Sequence, residues 1–162
     1  MRRSLTQRLP EPSPAPTPMI GALLRLPHQA IVARIQASLA RESFDITPSE
    51  LGVFLFPGPE GRRPIDLARQ CAMTRQAMNY VLAGLEGRDY LQRQDAATPN
   101  GRVVRVTERG RRAIAVIRSE VKAIEREWAD HLGARRFEAL RGTLGELAVW
   151  LGKLGGQGRP RA

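Results

Sequence analysis

PIDLARQCAMTRQAMNYVLAGLEGRDYLQRQDAATPNGRVVRVTERG, residues 64–110, is the stretch on which the fold turns. Pro64 suits the first turn of a short helix, with Ile65, Leu67, Ala68 and Cys71 as inward candidates. Thr74 interrupts it and caps a second helix, because its hydroxyl can accept a backbone N–H of the first turn. The second helix carries an apolar face of Met78, Val81, Leu82 and Leu85. Its opposite face shows Arg75, Gln76, Asn79 and Tyr80, and Gly87 weakens its end. Beyond Gly87 the period changes. Tyr90 to Arg93 and Val103 to Val106 are short β-prone runs, and the Asn100-Gly101 pair between them signals a hairpin turn. Thr107 can cap a further helix.

Short helix, tight turn, helix with a polar outer face and basic hairpin follow the order of a winged helix-turn-helix. The expected fold is mainly α, with a small β-hairpin wing. Such a helix suits double-stranded DNA, because the major groove admits one α-helix. Arg pairs with guanine, and Gln or Asn with adenine, so Thr74, Arg75, Gln76, Asn79 and Tyr80 are the expected recognition-helix contacts. Arg62, Arg63, Arg69, Arg102 and Arg105 are the expected phosphate and wing contacts. A solvated helix face is the plain alternative for the polar residues. A helical protein-interaction module on the same winged fold is the alternative function. RNA binding is disfavoured, since aromatics for base stacking are few.

Outward from this centre, a helix is expected over 20–42, where Ile31, Ile35 and Leu39 repeat at helical spacing. Thr47-Pro48-Ser49-Glu50 reads as a capping box opening a helix through LGVFLF, which Pro57-Gly58-Pro59 ends. After the hairpin, Ile114, Ile117, Val121, Ile124 and Trp128 recur at steps of 3, 4, 3 and 4. Phe137, Leu140, Leu144, Leu147, Leu151 and Leu154 repeat the device. Two heptad-like seams can pair with each other or with another chain. Ile114, Ile117, Val121, Ile124, Trp128, Leu140, Leu144, Leu147 and Leu151 are the expected homodimer interface, and Trp150 joins Trp128 as dimer core. The expected organisation is a disordered Pro-rich arm (1–18), an N-terminal dimerisation helix (19–46), the winged lobe (47–112), C-terminal dimerisation helices (113–154) and a flexible tail (155–162).

The charge is placed unevenly. The net +10 resolves into +5 over residues 58–112, +2 over 1–18 and +3 over 153–162, with residues 19–57 and 113–152 neutral. A localised basic segment is the footprint of a polyanion-binding surface. No segment approaches a membrane span or a secretory signal, so a cytoplasmic, nucleoid-associated protein is expected. Cys71 stands alone, which fits a small packed side chain better than a redox sensor. His28 and His131 are far apart, no zinc-ligand spacing or Gly-rich phosphate loop occurs, and neither an enzyme nor a cofactor nor a metal is expected.

The chain resembles the MarR family of winged-helix regulators over residues 22–152. Leu67-Ala68, Met73-Thr74 through Leu85-Glu86, Tyr90-Leu91-x-Arg93 and Val104-Arg105-Val106-Thr107-Glu108-Arg109-Gly110 carry the resemblance. It implies a DNA-binding lobe between dimerising terminal helices and a near-palindromic operator. Release by a small aromatic or anionic effector, or by oxidation, is also implied. The Asp-x-Arg that the family commonly places in the wing is absent, since Thr98 and Asn100 stand there, and Arg102 is the expected substitute.

Overall fold

The computed structural model describes residues 18–55, 58–95 and 102–156. The arm before residue 18, Thr98, the Asn100-Gly101 turn and the tail from 157 lie outside the described residues. Eight elements follow in order: α1 (Ile20–Arg41), α2 (Pro48–Phe54), α3 (Pro64–Gln70), α4 (Arg75–Gly87), β1 (Leu91–Asp95), β2 (Arg102–Val106), α5 (Glu108–Leu132) and α6 (Ala134–Gly156). This is the winged helix-turn-helix.

The helix starts are local chemistry. Thr47 N–H donates to the Glu50 carboxylate at 2.9 Å and Pro48 opens α2. Thr107 Oγ1 accepts the Gly110 N–H at 3.0 Å and donates to the Tyr90 carbonyl at 2.9 Å, so one hydroxyl caps α5 and ties it to the hairpin root. α2 stops at Phe54 and α3 at Gln70, each a little earlier than the apolar runs suggest. α6 continues to Gly156, past the expected boundary at 154.

β1 and β2 pair antiparallel, with Leu91 opposite Val106 and Arg93 opposite Val104. The chain just before α3 lines the far edge of β2. Gly61 N–H donates to Val104 O and Val104 N–H to Arg62 O, both at 2.8 Å.

The core lies where α1, α2, α3, α4, the hairpin and the start of α5 meet. Ile35, Leu39, Leu51, Leu67, Leu82, Tyr90 and Val104 are among its fully enclosed side chains. Leu67 and Ala68 are buried as expected, whereas Ile65 and Cys71 are half-buried at its margin. α1 lies along α5. Arg34 meets Glu120 (2.7 Å) and Glu127, and Ser38 Oγ donates to Glu120 at 2.6 Å. This contact changes the reading of the first heptad seam. Ile117 and Ile124 are buried within the single chain, and Ile114 and Val121 pack against the same core. Facing α1, they are not left as a free stripe for a partner.

Gly110 is needed for close approach. A Cβ there would stand 2.1 Å from the Tyr90 carbonyl oxygen and 2.8 Å from Val106 Cγ1. Gly110→Ala is therefore expected to destabilise the fold by roughly 1–3 kcal/mol, the usual cost of overpacking. A thermal melt checks this, and an unchanged midpoint would mean that α5 is not pinned against Tyr90.

Candidate nucleic-acid interface

α4 is positioned by its own N-terminus. Ala72 takes a left-handed conformation (φ 52) between α3 and α4. Thr74 Oγ1 then accepts the Ala77 N–H at 3.1 Å. Met78, Leu82 and Leu85 are buried below the helix. Arg75, Gln76, Asn79 and Tyr80 are exposed above it, Tyr80 to 84%.

Beside this face lies a cleft of about 320 Å³ lined by Arg63, Pro64, Ile65, Arg75, Asn79, Arg93 and Arg102. It joins the start of α3, the outer face of α4 and the hairpin. Four residues expected at the interface from sequence, Arg63, Arg75, Asn79 and Arg102, thus share one concave wall. Four guanidinium groups line it, and although Arg63 is bonded to Asp66 and Arg93 to Glu86, the recess presents cationic side chains on every wall. Arg93 is the member that sequence reasoning left out of the site. The signal was present, because Leu91 points inward and a strand repeats every second residue, which brings Arg93 to the same side.

Other expected contacts stand elsewhere. Arg105 alternates with the buried Val104 and Val106, so it lies on the opposite face of the hairpin from Arg93 and Arg102. Its guanidinium donates to Glu60 at 2.9 Å. It is therefore not brought to the cleft. Arg69 is exposed on α3, 3.7 Å from Asp66. Arg62 is half-buried, and its carbonyl holds β2. Arg63 Nε donates to Asp66 at 2.9 Å, a bond that holds the Asp66 carboxyl below the usual carboxylate range.

Two further surfaces bear on function. A second cleft of about 500 Å³ opens between α1, α2 and α5, with Ile31, Phe54, Val106 and Ile114 in its wall and Glu60, Arg118 and Lys122 among its polar groups. Leu140, Leu144, Leu147 and Leu151 on α6 are each between 39% and 51% exposed. Met19, Ile20 and Leu23 at the start of α1 are exposed as well. Among the described residues no helix is long and apolar enough to cross a membrane.

No family model and no curated protein matches the chain. Solved structures do match its fold. The chain superposes on the repressor CouR bound to a 23-mer DNA duplex with TM-score 0.62 and 20% identity, over 80% of this chain and 92% of that one. CouR from Rhodococcus jostii RHA1 bound to p-coumaroyl-CoA gives TM-score 0.65 and 19% identity, over 84% and 96%. NadR in complex with 4-hydroxyphenylacetate gives 0.62 and 20%, over 85% and 97%. A MarR-family regulator from Rhodococcus sp. RHA1 matches at 0.64 and 18%, over 80% and 91%. The fold is that of the MarR-family transcriptional regulators.

Cys71 bears on the oxidation route that the resemblance allows. It is half-buried, its sulfur packs toward Gly52 of α2, and burial pushes its thiol pKa up. The thiolate is the reactive form, so a raised pKa lowers the reactivity of the residue at neutral pH. Alkylation by iodoacetamide in the folded protein is expected to be several-fold slower than that of a free thiol. Faster alkylation would reopen the sensor reading.

Proposed function

We propose that the chain is a sequence-specific transcription regulator of MarR type. As a homodimer it binds a near-palindromic operator, and it acts as a ligand-responsive repressor. The observation that carries this reading is the cationic cleft joining α3, α4 and the hairpin beside an outward polar face on α4. In this arrangement α4 enters the major groove. Arg75, Gln76 and Asn79 meet base edges, while Arg63, Arg93 and Arg102 meet phosphates. A CouR structure of the same fold is bound to DNA, which supports the same use here.

The homodimer reading rests on exposed apolar surface. The start of α1 and the Leu140–Leu151 seam of α6 present apolar side chains that one chain leaves uncovered. A second copy buries them, and two α4 helices then stand about 34 Å apart, one turn of DNA. The effector reading rests on the second cleft. An apolar wall with Arg118 and Lys122 among its polar groups suits a small organic anion with an apolar body. Such a protein works at the chromosome, in the cytoplasm.

A labelled duplex from the upstream region, titrated at several salt concentrations, tests the DNA reading. Retardation at low salt that weakens steeply as salt rises is expected. Arg75→Ala and Asn79→Ala should each remove about 1–3 kcal/mol of preference for the cognate sequence. Arg63→Ala should weaken all sequences alike and lower the salt slope by about 0.9. No retarded band at low salt would remove the DNA reading and leave the winged fold as a protein-interaction module.

Light scattering tests the assembly. Wild type is expected at twice the chain mass, and the double variant Leu144→Glu/Leu147→Glu at the mass of one chain. A monomeric wild type at micromolar concentration would overturn the homodimer.

A further inference from the structure

Two carboxylates hold the hairpin, one on each strand. Glu86 lies in the last turn of α4. Its Oε1 accepts the Arg93 backbone N–H at 2.7 Å, and its Oε2 accepts Arg93 Nε at 2.7 Å, with a second guanidinium nitrogen at 2.5 Å. Glu60 stands at the opposite edge. Its Oε2 accepts the Val106 N–H at 2.7 Å and its Oε1 accepts the Arg105 guanidinium at 2.9 Å. Each glutamate therefore takes one outward-facing strand N–H together with one arginine. A two-stranded ribbon is marginal without support at its edges; at the β2 edge Arg62 O takes the Val104 N–H, and the two glutamates take the Arg93 and Val106 donors. The backbone bond from Val106 also holds the Glu60 carboxyl below the usual carboxylate range, so the acceptor is ionised at neutral pH.

From this geometry we propose that Glu86 and Glu60 are positioning residues for DNA binding: they fix the hairpin relative to α4, so that Arg93 and Arg102 reach phosphates while Arg75 and Asn79 reach bases. The inference rests on the DNA-binding reading above. Glu86 is the sharper case. It belongs to the recognition helix, and its partner Arg93 lines the cleft. A carboxylate so close to a phosphate-binding surface repels DNA, and its presence there calls for a compensating role.

That repulsion gives a test in which two explanations predict opposite signs. Glu86→Gln adds one positive charge to the DNA face. By charge alone, affinity and salt slope both rise. If Glu86 positions the hairpin, affinity for a nonspecific 23-bp duplex falls by about tenfold, and the salt slope drops by about 0.9 for each phosphate that the hairpin ceases to reach. Glu60→Gln should show the same sign with a smaller effect. Glu138→Gln, exposed on α6, adds equal charge away from the cleft and should not weaken binding. Amide hydrogen exchange at Arg93 and Val106 provides a readout without DNA. Exchange there should speed up in Glu86→Gln and Glu60→Gln respectively, with the core amides of α4 unchanged. Tighter binding or an unchanged slope in Glu86→Gln overturns the proposal. Failure of the wild-type chain to bind the duplex at all would instead remove the DNA reading beneath it.

Discussion

Tyr90 is the point through which the lobes are joined. Its side chain is fully buried between the rings of Phe44 and Phe54, 6.3 Å from each. Its hydroxyl donates to Asp45 Oδ1 at 2.6 Å and accepts the Asp45 N–H at 3.0 Å, which fixes the loop between α1 and α2. Arg109 of α5 lies 4.8 Å from the ring centroid and also donates to that hydroxyl. The Tyr90 carbonyl receives Thr107 at the start of α5, while its N–H donates to Leu85 O at the end of α4. One residue thus ties the loop after α1, the end of α4, the hairpin and the start of α5. A buried phenol needs its hydroxyl satisfied, and here the partners come from separate elements, so none can shift alone.

Much of this was legible in residues 64–110. Thr74, Thr107 and the apolar stripe of α4 act through local periodicity and capping, which sequence displays directly. A helix that buries Met78, Leu82 and Leu85 turns Gln76 and Tyr80 outward and leaves Asn79 on its flank, while Arg75, three residues before Met78, is open because it stands in the first turn. What sequence hid was competition between equivalent partners. The Ile114–Ile124 stripe is a good seam for any apolar helix, and nothing in its spacing says that α1 of the same chain takes it. Arg105 and Arg102 look alike in composition. Strand alternation sends one to Glu60 and the other to the cleft.

That sorting changes what the charge surplus means. Of the arginines between residues 58 and 112, Arg88 is engaged by Glu50, Arg93 by Glu86, Arg105 by Glu60, Arg109 by Asp45 and Arg111 by Glu108. Most of the acidic groups between residues 58 and 112, joined by Asp45 and Glu50 before them, serve as internal partners. The exposed pairs among them contribute little stability each, but all of them choose where a guanidinium points. Arg75, by contrast, has no ion-pair partner among the described residues and stands exposed at the first turn of α4. The attraction for a polyanion is therefore set by which side chains face outward, more than by the total of +10.

The same reasoning constrains how an effector could act. Glu60 and Val106 line the larger cleft, and both belong to the contact that holds β2. The wall of that cleft is thus the root of the hairpin. Occupancy alone changes nothing, however tight. A ligand shifts the DNA-binding state only by the difference in its affinity for two arrangements of that wall. An anion placed near Arg118 and Lys122 shares the cleft with the ionised Glu60, and repulsion between them opposes the Glu60 contact with Val106. Under the proposed function, a ligand that weakens this contact acts in the direction that release from DNA requires.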